Sequence, residues 1–396
     1  MSSLFPNKHF AGFGPSRFQP PASVLGLHVA AGPSADGLRA EVRRQCPRRP
    51  GVYGMIDPRG RLIYVGKAKC LRARLLGYFR ADSRDAKAGR IIEATRAVVW
   101  EFAATEFGAL LRELELIRRW TPPYNVQGRP GRRRGMYIVL GKKPGPYLFA
   151  TAEPSADLIA CYGPLPGAAF VQEAARRLND LFRLRDCPQS QTMRFADQGE
   201  LFPEQRPAGC LRYELGTCSG PCAGFVSRGG YRRQVRDARA FLDGTDDALF
   251  ARLERQMTAA SASEHYERAA ALRDKLAFVR GVRDRLNWLQ EARKEFSLVY
   301  QLPDDEGRPL WYLIRQGQVR AVVQRPHDGE SRRATRTAIE KIFRRNRADV
   351  GPVAVDRLDG ILLVAAWFRK RPEERANVLA PEHALELCRP TAALSA

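Results

Sequence analysis

One phenol, one ammonium, one guanidinium and one carboxylate, Tyr64, Lys67, Arg74 and Glu113, are the residue types that hydrolysis of a phosphodiester requires. That reaction must deprotonate a water, neutralise a pentavalent dianion and stabilise an alkoxide. A phenol with a pKa near about 10 is a poor base at neutral pH, but an adjacent ammonium such as Lys67 favours its anion. Arg74 would then carry phosphate charge. Glu113 borders the apolar stripe Leu110, Leu111, Leu114 and Ile117. A lone carboxylate at such an edge suits a hydrated Mg2+ or Mn2+ ion, because Mg2+ commonly takes only one or two protein carboxylates. Tyr53, Tyr78 and Asn125 complete the candidate set.

These residues must be brought together by local elements. GVYGMI reads as a strand, DPRG as a turn and RLIYVG as a second strand, so residues 51 to 66 form a hairpin with Tyr53 and Tyr64 on its two arms. A helix is expected over 70 to 79, placing Arg74 and Tyr78 on one face. Another is expected over 88 to 96, a strand over 97 to 104, and a strong helix from Glu106 to Trp120 that stops before Pro122 and Pro123. This is a small α/β unit of about 85 residues. Gly60 and Gly66-Lys67 suggest a phosphate-binding loop, but the spacing is one residue too long and Ala68 lacks the hydroxyl that holds Mg2+.

The 396-residue chain has room for two or three domains, and its net charge of +23 calls for a polyanionic partner. Residues 41 to 150 hold 24 Lys and Arg against 9 Asp and Glu, a clustering that codon bias does not produce. Nucleic acid is favoured over anionic membrane, since there is no strongly amphipathic basic terminal helix and no lipidation motif. No apolar run is long enough for a membrane span, and the opening residues lack the apolar core of a signal peptide, so a cytoplasmic protein is expected. Cys187, Cys210, Cys218 and Cys222 follow a C-x22-C-x7-C-x3-C pattern that allows zinc, an iron–sulfur cluster or free thiols. Cys46, Cys70, Cys161 and Cys388, and the five scattered histidines, match no ligand spacing.

The segment PGVYGMIDPRGRLIYVGKAKCLRARLLGYF (50 to 79) and TEFGALLRELELIRRWTPPYNV (105 to 126) resemble the GIY-YIG nuclease family as represented by the excinuclease subunit UvrC and its short homologue Cho. The resemblance implies Glu113 as metal ligand, Tyr64 as the residue that activates water, Lys67 and Arg74 as cationic helpers, and Tyr53, Tyr78 and Asn125 as further site residues. Arg112 stands where that family usually has an apolar residue, and Leu114-Glu115 replaces a frequent Asn-Asn. The cysteine-rich stretch is similar to the UvrC region whose four cysteines hold a [4Fe–4S] cluster, which leaves zinc as the alternative. HYERAAALRDKL resembles the UVR motif, a helical hairpin that contacts the damage-loading subunit UvrB; Tyr266, Glu267, Ala270, Arg273 and Asp274 would face that partner.

The resulting expectation is an α+β multidomain chain. It has a flexible N-terminal arm (1–40), a GIY-YIG nuclease domain (41–127), a linker and cysteine-rich cluster domain (128–243), a UVR-like helical hairpin (244–290) and a small α+β C-terminal domain (291–396). Full UvrC continues into an RNase H-like nuclease and helix-hairpin-helix motifs. Here the strand LVYQL carries no Asp, and Asp304 and Asp305 fall in the turn after it, so a noncatalytic tail and a single incision are expected. The implied activity is nicking of damaged double-stranded DNA on the 3′ side of the lesion, in nucleotide excision repair. Arg72, Arg74, Arg129, Arg132, Arg133 and Arg134 would track phosphates without reading bases. Competing readings are a noncatalytic DNA-binding scaffold and a structure-specific nuclease outside repair.

Overall fold

The computed structural model describes residues 9–18, 26–79, 86–125, 135–198, 210–304, 307–344, 353–354 and 357–389. Arg129, Arg132, Arg133, Arg134 and Asp305, named above from sequence, lie outside them. The chain divides into two compact units, residues 1–132 with 292–349 and 359–396, and residues 133–291 with 350–358.

The first unit contains β1 (His28–Ala31), α1 (Ala35–Gln45), β2 (Gly51–Ile56), β3 (Leu62–Ala68), α2 (Leu71–Gly77), α3 (Ala86–Glu93), β4 (Ala97–Phe102) and α4 (Glu106–Trp120). The four strands form one antiparallel sheet in the order β1-β4-β2-β3. The hairpin turn is set by Asp57, whose carboxylate accepts from the amides of Arg59 (2.9 Å) and Arg61 (2.8 Å), while Gly60 takes a positive φ of 72°. Tyr53, Met55, Ile63, Leu71, Leu75 and Trp100 belong to the core on one face of the sheet. Val52, Val65, Val99, Ala109, Leu116 and Ile117 form the other, beneath α4. Thr105 caps α4, accepting from the Gly108 amide at 2.8 Å.

Residues 1–40 are not simply an arm. His28–Ala31 pair in register with Ala97–Trp100 as an edge strand, and Ala35–Gln45 is helical. Phe10 and Phe13 pack at 5.4 Å, Phe13 is buried, and Phe10 reaches Trp120 at 5.3 Å. The unusual residues of α4 hold this stretch. Arg112 donates to Glu101 (2.5 Å), to Glu115 (2.7 Å) and to the carbonyl of Gly14 (2.6 Å), and Ser16 donates to Glu115 (2.8 Å).

The same unit continues with a second sheet, β8 (Leu298–Pro303), β9 (Pro309–Arg315), β10 (Gln318–Gln324) and the two-residue β11 (Val378–Leu379), in the order β10-β9-β8-β11. It carries α10 (Gly329–Phe343), α11 (Leu358–Lys370) and α12 (Pro381–Leu387). Phe107, in the first turn of α4, lies within 5.1–5.3 Å of the rings of Tyr312, Trp367 and Tyr300. Thr105 and Tyr312 share a buried hydrogen bond of 2.7 Å.

The second unit has a three-stranded sheet, β5 (Met136–Leu140), β6 (Leu148–Thr151) and β7 (Ala160–Leu165), in the order β6-β5-β7. Its helices are α5 (Ala168–Phe182), α6 (Leu211–Glu214), α7 (Arg228–Asp243), α8 (Ala248–Ala262) and α9 (Tyr266–Glu295). Where two short helices were expected over 249 to 279, the second runs for 30 residues. No helix of the described residues is long and apolar enough to cross a membrane.

Candidate active site

Tyr53 on β2 pairs with Gly66 on β3, and Met55 with Tyr64, so both tyrosines project from the same sheet face. A Cβ on Gly66 would stand 2.5 Å from the Tyr53 phenol, which is why glycine is required opposite that ring. Helix α2 delivers the third phenol. Tyr53 and Tyr78 hydroxyls are 2.9 Å apart, Tyr64 is hydrogen-bonded to Tyr78, and the three ring centroids lie 6.1–6.3 Å from one another. Arg74, from the same helix, donates through Nε to the Tyr53 hydroxyl (3.3 Å), and its guanidinium lies 5.2 Å from the Tyr78 ring.

Glu113 reaches this cluster along the margin of the sheet. Strand β3 is an edge strand, so its outward amides and carbonyls need partners from elsewhere. The Tyr124 amide donates to the Ile63 carbonyl (3.0 Å), and Asn125 donates to and accepts from the Val65 main chain (2.8 Å each). The Lys67 amide donates to the Glu113 carboxylate. Asn125 thereby holds β3 in register, spending one donor and one acceptor of its amide on the Val65 main chain.

The electrostatics differ from the sequence expectation in one respect. All three phenols are pushed well above their ordinary pKa, mainly by burial. For Tyr64 the Tyr78 phenol and the Glu113 charge add to the rise, and the cation opposing it is Arg74. Lys67 acts instead on Glu113, whose carboxyl burial pushes up to about 7 while Lys67 and Arg74 pull it down. Lys67 also lies 3.8 Å from Glu106, which meets Lys69 at 3.0 Å and Arg371 at 2.8 Å. Sequence reading gave Glu106 no role; the only available signal was its place one residue after a helix-capping threonine.

Tyr53, Tyr64, Lys67, Arg74, Tyr78 and Glu113 are thus gathered at one end of the sheet. A half-buried carboxylate flanked by two cations and a phenol has the donor chemistry for a divalent ion that keeps most of its water shell. Arg72 donates to the Cys46 carbonyl at 2.5 Å, so part of its guanidinium is engaged in the fold.

The four cysteines of the second unit are in electrostatic reach of one another. Cys218 feels Cys210 and Cys222, and Cys222 feels Cys187 and Cys210. Burial raises the Cys218 and Cys222 thiols. Among the described residues no three His, Cys, Asp or Glu side chains are set to close on one metal ion. On the α8–α9 hairpin, Tyr266 is 66% exposed and, with Met257, Ser261, Ala270 and Arg273, lines an open groove of about 580 Å³. Glu267 and Asp274 are exposed beside it.

Three family descriptions match the chain in order: a UvrC-like GIY-YIG domain over residues 49–126, a UvrC/Cho excinuclease middle domain over 136–241, and a UvrB/uvrC motif over 248–282. Among curated relatives, the UvrABC system protein C of Desulforudis audaxviator is 31% identical over 351 residues, covering 86% of this chain and 55% of the relative. That of Ectopseudomonas mendocina is 36% identical over 239 residues, 60% of this chain and 37% of the relative. The chain therefore spans only between about a third and just over half of these relatives' length. A solved structure of the GIY-YIG N-terminal endonuclease domain of UvrC from Thermotoga maritima, bound to magnesium as its catalytic divalent cation, is 33% identical. It covers 22% of this chain and 96% of its own, with a TM-score of 0.21.

Proposed function

Because the chain belongs to the UvrC/Cho excinuclease family, we propose that it is a divalent-metal-dependent DNA endonuclease making one single-strand incision, on the 3′ side of damage, in nucleotide excision repair. The observation that carries this reading is the convergence of Glu113, Lys67, Arg74 and Tyr64 at one end of β3. Glu113 would hold Mg2+ or Mn2+. A divalent ion there supplies Lewis acidity toward a phosphate oxygen and positive charge beside the Tyr64 phenol. Tyr64 would orient the attacking water through its hydroxyl. It could take the water's proton only after giving its own to solvent, as the phenolate that Arg74 and a bound divalent ion would favour against burial. Tyr53 and Tyr78 fix the direction of Arg74 and Tyr64 through their hydroxyls. Lys67, balanced between Glu106 and Glu113, neutralises charge developing on the scissile phosphate. Asn125 acts at one remove, by holding β3.

The remaining parts of the proposal follow the family. Cys187, Cys210, Cys218 and Cys222 hold a metal centre, a [4Fe–4S] cluster ahead of zinc, supported by their mutual electrostatic reach. The exposed groove around Tyr266, Ala270 and Arg273, with Glu267 and Asp274, receives a UvrB-like protein in the cytoplasm. Arg72, Arg74 and the 129–134 arginines contact the duplex backbone, and the C-terminal sheet is noncatalytic. The deciding experiment is nicking of a damaged plasmid with Mg2+ and a UvrB-like loading protein. Wild type should convert supercoiled to open-circular DNA, and Glu113→Ala should be slower by at least about a hundredfold. Equal rates would remove the enzymatic reading. Anaerobic purification followed by iron and zinc analysis separates the two metal centres.

A further inference from the structure

Helix α7 displays Arg228, Arg232, Arg236 and Arg239 along one wall of a cleft of about 500 Å³ in the second unit. Lys143 lines it as well, so five cations line the cleft and no carboxylate does. Two of them are engaged elsewhere: Arg239 is shared with Asp243 at 3.4 Å, and the Arg228 guanidinium lies 5.5 Å from the Phe195 ring. Lys143, Arg232 and Arg236 are exposed and have no acidic partner among the described residues. The cleft between these charges is apolar, bordered by Pro146, Ile159, Phe195 and Val235.

Like charges held around one cleft repel one another, and a polyanion relieves that repulsion by releasing its counterions. Eleven residues of helix separate Arg228 from Arg239, a rise of about 16 Å, over which one DNA strand presents about five phosphates. An unbroken duplex would meet only the charged rim, because its bases are stacked inside. An unpaired nucleotide matches the whole site, with an apolar face for the cleft and an anionic linkage on either side. We propose that the α7 cleft takes one unpaired nucleotide of a DNA strand, its base against Pro146, Ile159 and Val235 and its flanking phosphates on Lys143, Arg232 and Arg236. This site lies outside the residues assigned to cleavage, and the inference rests on reading the chain as one that acts on DNA.

The test is fluorescence anisotropy of the full chain in EDTA, with a labelled duplex and the same duplex carrying a short unpaired bubble. Wild type should prefer the bubble. The double variant Arg232→Glu/Arg236→Glu should lose about 10- to 100-fold in bubble affinity, and its log–log salt slope should shrink by about 1.5. Arg333→Glu/Arg336→Glu, an equal change of charge on α10, should shift affinity by less than about threefold. Val235→Phe, which fills the cleft and keeps the cations, should abolish the preference for the bubble and spare duplex binding. The proposal is overturned if the α7 pair behaves like the α10 pair, or if Val235→Phe keeps the preference. Should wild type nick damaged plasmid while either result holds, only this inference fails; should it neither bind nor nick DNA, the functional reading beneath it fails too.

Discussion

Tyr53 and Tyr78 meet hydroxyl to hydroxyl at 2.9 Å, and the same Tyr53 oxygen receives Arg74 Nε at 3.3 Å. A ring that is fully buried in the sheet core therefore aims a cation whose own side chain is exposed. Tyr53→Phe keeps the packing and deletes only that oxygen. We expect a stability loss of about 1 kcal/mol and a fall in single-turnover incision rate on the order of tenfold. A rate equal to wild type would reduce the Tyr53 hydroxyl to packing.

Glu113 links the site to pH. Burial raises its carboxyl from 4.5 to about 7 in the folded chain. Between those values the unfolded chain has released a proton that the folded, metal-free chain still holds, so stability falls as pH rises through that window. Glu113→Gln removes the titrating group and hence the slope. In EDTA the variant should melt with wild type at a pH of about 4 and above it at about 8, by a few degrees. Parallel melting curves at both pH values would contradict the raised carboxyl.

Arg112 and Glu101 form a buried pair, 2.5 Å between Nε and Oε1. Truncating Arg112 to Leu leaves the Glu101 carboxylate buried without its partner, which costs about 3–5 kcal/mol. Urea denaturation should register this, and Glu101→Gln in the same chain should return part of it. If the double variant is no more stable than the single one, the charge pair is not the source of the loss.

Phe107 sits among Tyr300, Tyr312 and Trp367, and joins α4 to the second sheet of its unit. Phe107→Ala should cost about 3–5 kcal/mol. It should also split a single unfolding transition of that unit into two, readable by tryptophan fluorescence of Trp311 and Trp367. One unchanged transition would show that the sheets hold together without it.

Much of the first unit is legible in the sequence. Helix α4 was placed from Glu106 to Trp120 because its apolar stripe ends at two prolines, and the hairpin because DPRG separates two β-branched runs. What escaped were features made by distant partners. Residues 28–31 have no period of their own, and they become a strand only because β4 offers a free edge. Arg112 stands where the resembled family usually has an apolar residue, and it is a buried cation beneath the stretch that carries Phe10 and Phe13. Asn125 was grouped with the chemistry by resemblance, while its amide serves the main chain of Val65. Glu106 collects three cations from two distant parts of the chain, Lys67 and Lys69 at the end of β3 and Arg371, 265 residues beyond Glu106, a sum no local pattern encodes.

The outward margin of β3 has one more consequence. Four of its outward peptide groups are already engaged by Tyr124, Asn125 and Glu113, so a strand from a neighbouring molecule finds little there to zip onto. That margin is for this reason poorly suited to pairing with its own kind, and crowding should not seed fibrils from it.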